Sequence, residues 1–479
     1  MTPEFPATPV PEAPLPPRTG SLLREGWGVA AKEAAKLLVW MVALGQLLSF
    51  GLFLTSDGVG DFLDYAKGGG VYFATFHRIW ILVDLSGFGG GALGIPDVPA
   101  SGFDLTYRLS AGLLLGTIFL GWLAYRAGRR ASERTRGGPV ASAIRGAKVS
   151  IPYAVASFLL LLLVRFDVRA PLEPVATGNV TIRVSPIQSF LLPLVIVAVP
   201  AAIGGLLTMR GAVVGWPWGR RTLASAAGGA RMLVLGTAFS LAGLVVAGWV
   251  QPGEPVSYLA PTTPAYLRGA FEQGPIDGLE TVVNHLLVLP NESVFVLVPA
   301  MGGCDEVSVA GFSVKLLCYG NFPDEAALRI FAAQAATGAP GTSLDGSTAP
   351  AGYFLFLFAP ALAALLGGRV AARRGEARSR QEAVALGAGS GVVFAVLATI
   401  AAVMSRLTVG LAAEAGFAFD VSVAFGPPAA QAGLLGLAWG VIGGALGGAL
   451  GGAQAPPVPE PPPVPGWSSP PKLPPPPGP

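Results

Sequence analysis

The sequence predicts an all-α polytopic membrane protein of about eight transmembrane helices, with a small β-containing extracytoplasmic cap. Only 12% of its 479 residues are charged, about half of the roughly 25% that soluble domains carry. Its mean hydropathy is +0.59. Long uncharged windows recur along the chain, and the loops between them alternate in basic content. A chain this poor in charge cannot cover itself with a water-facing surface, so lipid is its expected solvent.

Uncharged windows of at least sixteen residues predict the eight spans, since about 20 apolar residues cross the hydrocarbon core. The windows are 37–56, 109–125, 149–164, 184–209, 232–253, 346–368, 383–405 and 421–459. The last window continues into a proline-rich segment, so its helix is expected to end near Gly452.

Two other apolar segments, 71–94 and 281–301, are interpreted as interfacial or loop-packed segments rather than spans. Ionisable residues interrupt the first, and a proline, an amide and a carboxylate interrupt the second. These residues are His77, Arg78 and Asp84, and Pro290, Asn291 and Glu292. Charges at bilayer depth cost several kcal/mol.

The distribution of charge predicts the orientation. With the N-terminus inside, 21 of the 31 basic residues fall on the cytoplasmic side, and about 20 of the 28 acidic residues fall outside. The positive-inside rule therefore places both termini in the cytoplasm. A preference for Arg, Ala, Gly and Pro is typical of GC-rich bacteria, so the expected location is the bacterial plasma membrane.

The predicted organisation has five parts. Residues 1–33 form a proline-rich cytoplasmic segment without the apolar region of a cleavable signal. Spans one to five occupy 34–250, an extracytoplasmic loop with a hairpin occupies 251–350, and spans six to eight occupy 351–452. The tail, 453–479, contains 14 prolines and is expected to be disordered in the cytoplasm. Within the first membrane part, the predicted outer loops are 55–106 and 166–186.

Both cysteines lie in the largest outer loop. Cys304 and Cys318 bracket a stretch that alternates like a short hairpin, and on an oxidising side this favours a disulfide over free thiols. A metal site is not expected, because His77 and His285 are the chain's only histidines and structural zinc needs four ligands.

Strand-like segments in the outer loops predict the cap. They are NVTIRVS at 179–185, SVFVLV at 293–298 and FDVSVAF at 419–425. Unpaired strand edges need partners, so we expect them to pair. Helical stretches near 264–285 and 324–336 would pack around them. The alternative is a set of separate disordered loops.

The last span carries glycines four residues apart, which places them on one helix face. They are Gly436, Gly440, Gly444, Gly448 and Gly452. Such a stripe favours close helix packing within the protein. A dimer interface or a flexible pore-lining helix are the alternatives.

None of the eight windows has an ionisable residue near its centre, which argues against ion-coupled transport and intramembrane proteolysis. Gln46, Gln188 and Gln431 are interpreted as interhelical hydrogen-bonding groups rather than substrate contacts.

Arginine-rich loops at 125–138 and 367–383 resemble each other, and 210–221 is a looser third copy. Each lies between a descending and an ascending span. An internal repeat of helix hairpins would explain them. The preferred explanation is positive-inside composition occurring several times.

Three features carry a family resemblance: LGWLAYRAGRRASERTRGG at 120–138, SIPYAVASFLLLLLV at 150–164, and the β-like outer loops. In these features the chain resembles streptophobe-type polytopic actinobacterial membrane proteins, a group of unknown function. The resemblance covers spans two to eight and implies a membrane protein without indicating any catalytic residue.

The functional hypothesis is a non-enzymatic scaffold or regulator of the cell envelope, with no cofactor and no nucleic-acid partner. Its partners would be the lipid bilayer and envelope proteins that contact the cap or the proline-rich tails; the sequence leaves the oligomeric state open. The alternative is a channel or permease for an uncharged or lipidic substrate. An enzyme, with a site near Asp277, Glu280 and His285, is the third hypothesis.

Overall fold

The structure is a computed structural model that describes most of the chain between residues 24 and 451. The described residues are 24–55, 62–88, 103–133, 138–169, 179–216, 218–250, 275–309, 312–318, 321–322, 347–348, 355–414 and 418–451. The helices are α1 (Trp27–Thr55), α2 (Phe62–Phe76), α3 (Leu114–Ser132), α4 (Pro139–Ala147), α5 (Ser150–Leu162), α6 (Pro186–Thr208), α7 (Arg210–Gly215), α8 (Gly219–Val250), α9 (Pro275–Ala300), α10 (Phe358–Arg374), α11 (Arg380–Ser405) and α12 (Ala429–Gly451). The strands are β1 (Ile81–Phe88), β2 (Phe103–Ser110), β3 (Arg165–Arg169), β4 (Asn179–Val184), β5 (Cys304–Val309), β6 (Phe312–Cys318), β7 (Asn321–Phe322), β8 (Ser347–Thr348), β9 (Leu407–Glu414) and β10 (Ala418–Gly426).

Seven helical segments of the described chain are long and apolar enough to cross a membrane. They are Trp27–Gly51, Pro139–Leu162, Pro186–Thr208, Gly219–Gly243, Leu355–Arg374, Arg380–Ser405 and Ala429–Gly451. The remaining predicted window, 109–125, falls largely in α3. This helix is less apolar because Arg126, Arg129 and Arg130 occupy its last two turns.

The ten described strands form one antiparallel sheet in the order β3-β4-β1-β2-β9-β10-β5-β6-β7-β8. Four hairpins supply its main strands, namely β1–β2, β3–β4, β5–β6 and β9–β10. Each hairpin begins after one helix and ends before the next. The sheet therefore lies at one end of the helices, and the predicted strands at 179–185, 304–318 and 419–425 belong to it.

The order of elements is the same in two parts of the chain, which we call the N-terminal repeat (27–208) and the C-terminal repeat (219–451). Each contains two helices, a hairpin, two further helical segments, a second hairpin and a last helix. The equivalent helices are α1 and α8, α2 and α9, α3 and α10, α4–α5 and α11, and α6 and α12. Helix α7 lies in the linker between the repeats.

Strand order supports the same division. The N-terminal repeat contributes β3-β4-β1-β2, and the C-terminal repeat contributes β9-β10-β5-β6 in the matching order. The two sets of four strands are joined where β2 pairs with β9. Short β7 and β8 extend the far end and have no counterpart among the described strands of the first repeat.

Close backbone contacts recur at equivalent places, because glycine lets two helices approach each other without a Cβ atom between them. In each repeat the last helix meets two earlier helices at one small residue. The contacts are Gly128 and Gly146 against Ala201, and Gly368 and Gly387 against Gly444. A Cβ atom on any of these four partner glycines would overlap the carbonyl oxygen that it faces.

Each repeat also has its own apolar core. One cluster of buried side chains comes from α1, α2, α3, α5, β4 and α6, and includes Phe73 and Tyr153. A second comes from α8, α9, α11 and α12, and includes Leu297 and Phe394. A smaller cluster of Leu114, Val294 and Ala401 joins the two repeats.

Some expectations need correction. The stretch 293–298 is not a strand but lies within α9, since burial on nearly all sides favours the helix over the strand preference of its Val and Phe residues. The Arg-rich loops at 125–138 and 367–383 are equivalent parts of the two repeats, whereas 210–221 is the linker region and not a third copy. The predicted helix at 324–336, both proline-rich ends and Gly452 lie outside the described residues.

Candidate functional site

The two repeats meet along a surface that we call the seam, formed by β2, β9, the end of α2, the start of α3 and the middle of α9. Strands β2 and β9 pair without interruption from Asp104 opposite Glu414 to Ser110 opposite Thr408. This pairing sets the register between the repeats and places groups of both of them at one junction beneath the strands.

Asn291 connects the repeats directly beneath the strands. Its side-chain oxygen accepts the backbone N–H of Leu114 at 3.0 Å, and its amide nitrogen donates to the carbonyl oxygen of Gly112. The first of these bonds satisfies an N–H that the start of α3 would otherwise leave without an acceptor. A side chain of the C-terminal repeat thus caps a helix of the N-terminal repeat.

The turn that follows α2 has the same hydrogen bonds as the turn that follows α9. The N–H of Ile79 donates to the carbonyl of Ala74, and the N–H of Gly303 donates to that of Val298. A bond from an N–H to the carbonyl five residues earlier is typical of a Schellman cap. In such a cap the residue just before the donor adopts a left-handed conformation. Gly302 has φ 91° in the second repeat, but Arg78 has φ 55° in the first.

Arg78 and Arg406 lie side by side at the seam. The guanidinium of Arg78 donates to the carbonyl oxygen of Arg406 at 3.4 Å, and that of Arg406 donates to the hydroxyl of Ser308 at 2.8 Å. Burial lowers the pKa of Arg78, and the neighbouring charge of Arg406 lowers it further. The equivalent of Arg406 is Arg165, which begins the edge strand β3 and is exposed.

Two acidic residues of the C-terminal repeat lie near the same junction of helix and sheet. Burial raises the pKa of Glu292 in α9 to about 7. Burial also raises the pKa of Asp305 in β5 well above its ordinary value, and the adjacent Glu306 raises it further. Burial of this kind favours the neutral form of a carboxyl.

A buried histidine–tyrosine pair lies next to the seam in the N-terminal repeat. His77 Nδ1 contacts the carbonyl oxygen of Phe73 at 2.7 Å, and Nε2 contacts the hydroxyl of Tyr153 at 2.9 Å. Burial lowers the pKa of His77 to about 4, so the ring is neutral at pH 7. Its Nδ1–H then donates to the carbonyl, and Nε2 accepts from tyrosine.

The predicted cysteine pair lies at the start of β5 and the end of β6. Cys304 faces Cys318 across the two strands, and their sulfur atoms are 2.08 Å apart, the distance of a disulfide bond. The backbone N–H of Cys304 donates to Gln431 at 3.1 Å, just as that of Trp80 donates to Gln188 at 2.8 Å. These two glutamines therefore join helix to sheet at equivalent places, while Gln46 bonds from α1 to α2 through Ala66.

The glycine stripe of the last helix faces α11. A Cβ atom on Gly440 would lie 2.7 Å from Gly391, and one on Gly436 would lie 3.2 Å from Ala395. Gly444 and Gly448 face the carbonyl oxygens of Gly387 and Ala383. All four described members of the stripe thus make close contacts within the protein.

The sequence pointed to part of the seam. His77, Arg78 and Asn291 interrupt two apolar segments of the sequence, but no local pattern places them at one junction. No local pattern distinguishes Arg406 from the other charged residues of the outer loops. Polar residues inside otherwise apolar segments were the available signal, since such residues persist only where the fold gives them partners. Asp277, Glu280 and His285 lie on α9.

In chemical terms the seam is a joint of paired strands and partly buried arginines. Among the residues that the structure describes, no group of three or more His, Cys, Asp or Glu side chains could hold a metal ion. Asn291, Arg78 and Arg406 bond to backbone or hydroxyl groups of neighbouring elements. This arrangement holds two units in register.

No family model, curated protein or solved structure matches the chain. The class of protein is therefore defined by the fold alone. Seven apolar helices and an antiparallel sheet at one end of them are the architecture of an integral, multi-pass membrane protein. The resemblance to streptophobe-type proteins stays a prediction.

Proposed function

We propose that the protein is a non-enzymatic scaffold or regulator of the bacterial cell envelope that presents its sheet to envelope partners outside the plasma membrane. One observation carries the proposal: the four hairpins of both repeats merge into a single sheet. Four independent loops would need no such joint. A continuous sheet on a membrane anchor is a rigid surface on which another protein can bind.

The proposal includes eight spans, with α3 as the second. Helix α3 starts beside the sheet after β2, while α5 returns to the sheet before β3. The chain must therefore reach the opposite end through α3. Gly128 of α3 and Gly204 of α6 make close contacts between these two helices. These contacts support a path for α3 that crosses the bilayer alongside α6. Arg-rich turns then lie on the cytoplasmic side with both termini, and the sheet lies outside.

The contacts of α12 argue for the scaffold over the channel. Gly440 and Gly444 lie against the backbone of α11, so the flexible face that a gating helix needs is used for packing. The proline-rich tail, 453–479, would offer cytoplasmic partners an extended segment.

The first experiment tests orientation by cysteine labelling in intact cells. Ser422→Cys on exposed β10 should react with a membrane-impermeant maleimide, while Arg220→Cys at the start of α8 should react only after permeabilisation. The native cysteines, at disulfide distance, serve as the unreactive background. The reverse pattern would invert the proposed topology.

The second experiment tests the platform. A photocrosslinking residue is placed at Asp167 on β3 or Lys315 on β6, both exposed, and in a matched control at exposed Arg374 at the other end of the helices. We expect the two sheet positions to capture one envelope protein that the control does not capture. Deletion of 453–479 should leave that adduct unchanged. If neither sheet position yields an adduct at normal protein levels, the platform proposal fails.

A further inference from the structure

We infer that a groove between α1 and α3 binds an anionic phospholipid of the membrane. The groove has a volume of about 400 Å³. Lys36, Arg126 and Arg130 form its polar rim, and Trp40 and Trp122 form its apolar walls. Its exposed tryptophans leave the groove open to the surroundings of the protein.

The walls consist of aromatic rings that the protein itself does not cover. Trp40 is 60% exposed and Trp122 is 48% exposed. Phe119 stacks on Trp122, with 5.8 Å between the ring centroids. Exposed tryptophans of a membrane protein concentrate at the level of the lipid headgroups, where the ring contacts chains and the indole N–H contacts polar groups.

The rim carries more positive than negative charges, because its cations outnumber its single carboxylate. Glu33 is 5% exposed and pairs with Lys36 at 2.5 Å and with Arg130 at 3.4 Å. The guanidinium of Arg126 lies over the Trp122 ring, 4.8 Å from its centroid. Three cations and one carboxylate give the groove a net charge of two positive units. This balance matches an anionic phosphate headgroup and not a zwitterionic one.

The order of these groups along the helices matches a lipid. Trp40 follows Lys36 by one turn of α1, and Trp122 precedes Arg126 by one turn of α3. Because the helices run in opposite directions, both aromatic rings lie about 6 Å deeper than the charges on the same side. A phosphate at the rim would thus have its first chain carbons between the tryptophans.

The C-terminal repeat shows that the repeated fold does not require a groove here. Helices α8 and α10 are the equivalents of α1 and α3. A Cβ atom on Gly228 of α8 would lie only 2.8 Å from the carbonyl oxygen of Gly367 on α10. Backbones in such close contact leave no space for a lipid. The groove is therefore made by the larger side chains of the N-terminal repeat.

The inference depends on the membrane class of the protein and not on the proposed scaffold function. The test uses the full-length protein purified in detergent, with lipid binding followed by native mass spectrometry. Phosphatidylglycerol and phosphatidylcholine with the same acyl chains are the probes. We expect phosphatidylglycerol to bind about tenfold more tightly, a difference of about 1.4 kcal/mol.

Variants locate the binding. Arg126→Gln/Arg130→Gln should weaken phosphatidylglycerol binding about tenfold and leave phosphatidylcholine binding unchanged. The matched control, Arg129→Gln/Arg373→Gln, removes the same charge from exposed positions that do not line the groove, and should stay within about twofold of the parent. Circular dichroism verifies folding. Arg126→Gln alone, which removes one rim charge but keeps the Glu33–Arg130 ion pair, replaces the double variant if that one does not fold.

Three results would overturn the inference. Equal binding of the two lipids would mean that the charges play no part. An equal loss in the control variant would mean that binding is diffuse. Displacement of phosphatidylglycerol by soluble glycerol phosphate at the lipid's own concentration would mean that the ligand is a free phosphate and not a lipid.

Discussion

At the turn after α2 the N-terminal repeat places His77 against Tyr153, whereas the C-terminal repeat places Met301 near Phe394 in its core. The backbone hydrogen bonds of the two turns are the same. The polar pair His77–Tyr153 and the apolar pair Met301–Phe394 therefore occupy equivalent positions in the two repeats. The comparison teaches that the backbone frame is shared by the repeats and that the side chains within the frame differ.

The same contrast holds at the three-helix junctions. Ala201 and Gly444 differ by one methyl group, yet each is approached by glycines from two other helices. Between the first helix of each repeat and its third, however, one repeat has an open groove and the other has a backbone contact. Close packing contacts are thus common to both repeats, and the differences lie at the His77–Tyr153 pair and at the groove.

The largest effect should come from filling a junction. Gly444→Leu would drive a side chain into the backbone of α11 at Gly387 and against Met232 of α8, where overpacking costs up to about 3 kcal/mol or prevents folding. We expect the variant to be lost from the membrane fraction or to melt far below the parent in detergent. The matched control is Gly121→Leu on α3, whose Cβ position has nothing within 4 Å. Similar melting of the two variants would contradict a junction role.

The histidine pair should give the next largest effect, and it depends on pH. His77 has a pKa of about 4 in the fold against 6.5 when unfolded, so between these values only the unfolded chain binds the proton. The contribution of His77 to the free energy of unfolding is therefore fully present above pH 6.5. It decreases by about 3 kcal/mol as the pH falls to 4.

The variant that tests this copies the other repeat. His77→Met/Tyr153→Phe removes both partners of the bond between the two side chains, but it leaves the Phe73 carbonyl without its Nδ1–H donor, which costs about 1 kcal/mol at pH 7. The free energy of unfolding is measured in detergent at pH 7 and at pH 4.5 for both proteins. We expect the parent to lose clearly more than the variant. Equal losses would show that His77 does not carry the pH dependence.

Asn291 tests the seam itself. Asn291→Ala leaves the N–H of Leu114 and the carbonyl of Gly112 buried without this partner, at a cost of about 2 kcal/mol. Hydrogen exchange should increase at the start of α3, in the other repeat. Thr237→Ala, which removes a hydroxyl that bonds within α8, is the control and should change exchange only locally. An unchanged α3 would refute the bridging role.

The smallest effects are expected at the two helix caps. Gly302→Ala places a Cβ atom at φ 91° and should lower the free energy of unfolding by about 1 kcal/mol. Arg78→Gly relieves the same conformation but removes a hydrogen bond to Arg406, so its net change should stay below about 1 kcal/mol. Denaturant unfolding of both variants measures the difference. A loss for Arg78→Gly as large as that for Gly302→Ala would mean that glycine relieves no strain at position 78.

The apolar helices were predictable because exclusion of charge from lipid is a local property, visible in any window of 20 residues. The strand at 304–309 and its partner at 312–318 were predictable from alternation and the two cysteines. The prediction of a strand at 293–298 was wrong for a physical reason. Val and Phe favour a strand locally, but burial among helices decided the conformation of α9.

The seam and the repeat were beyond local patterns. The pairing of Ser110 with Thr408 joins residues that no sequence window contains together. Gly204–Gly205 and Gly447–Gly448 are equivalent doublets, yet glycine doublets are common in this chain, and only their contacts identify them. The groove at Glu33 depends on two helices that are distant in sequence, so its charges were counted only as positive-inside residues.

The pairing of β2 with β9 joins unlike edges of the two four-stranded units. A head-to-tail contact of this kind leaves one edge of each type unpaired. Identical molecules with both types of edge can add to one another without limit. Those edges belong to β3 at one end and β6 at the other. The two-residue strands β7 and β8 lie on the β6 side. Strands this short offer few unpaired N–H and C=O groups, so they would oppose the addition of further molecules at that edge.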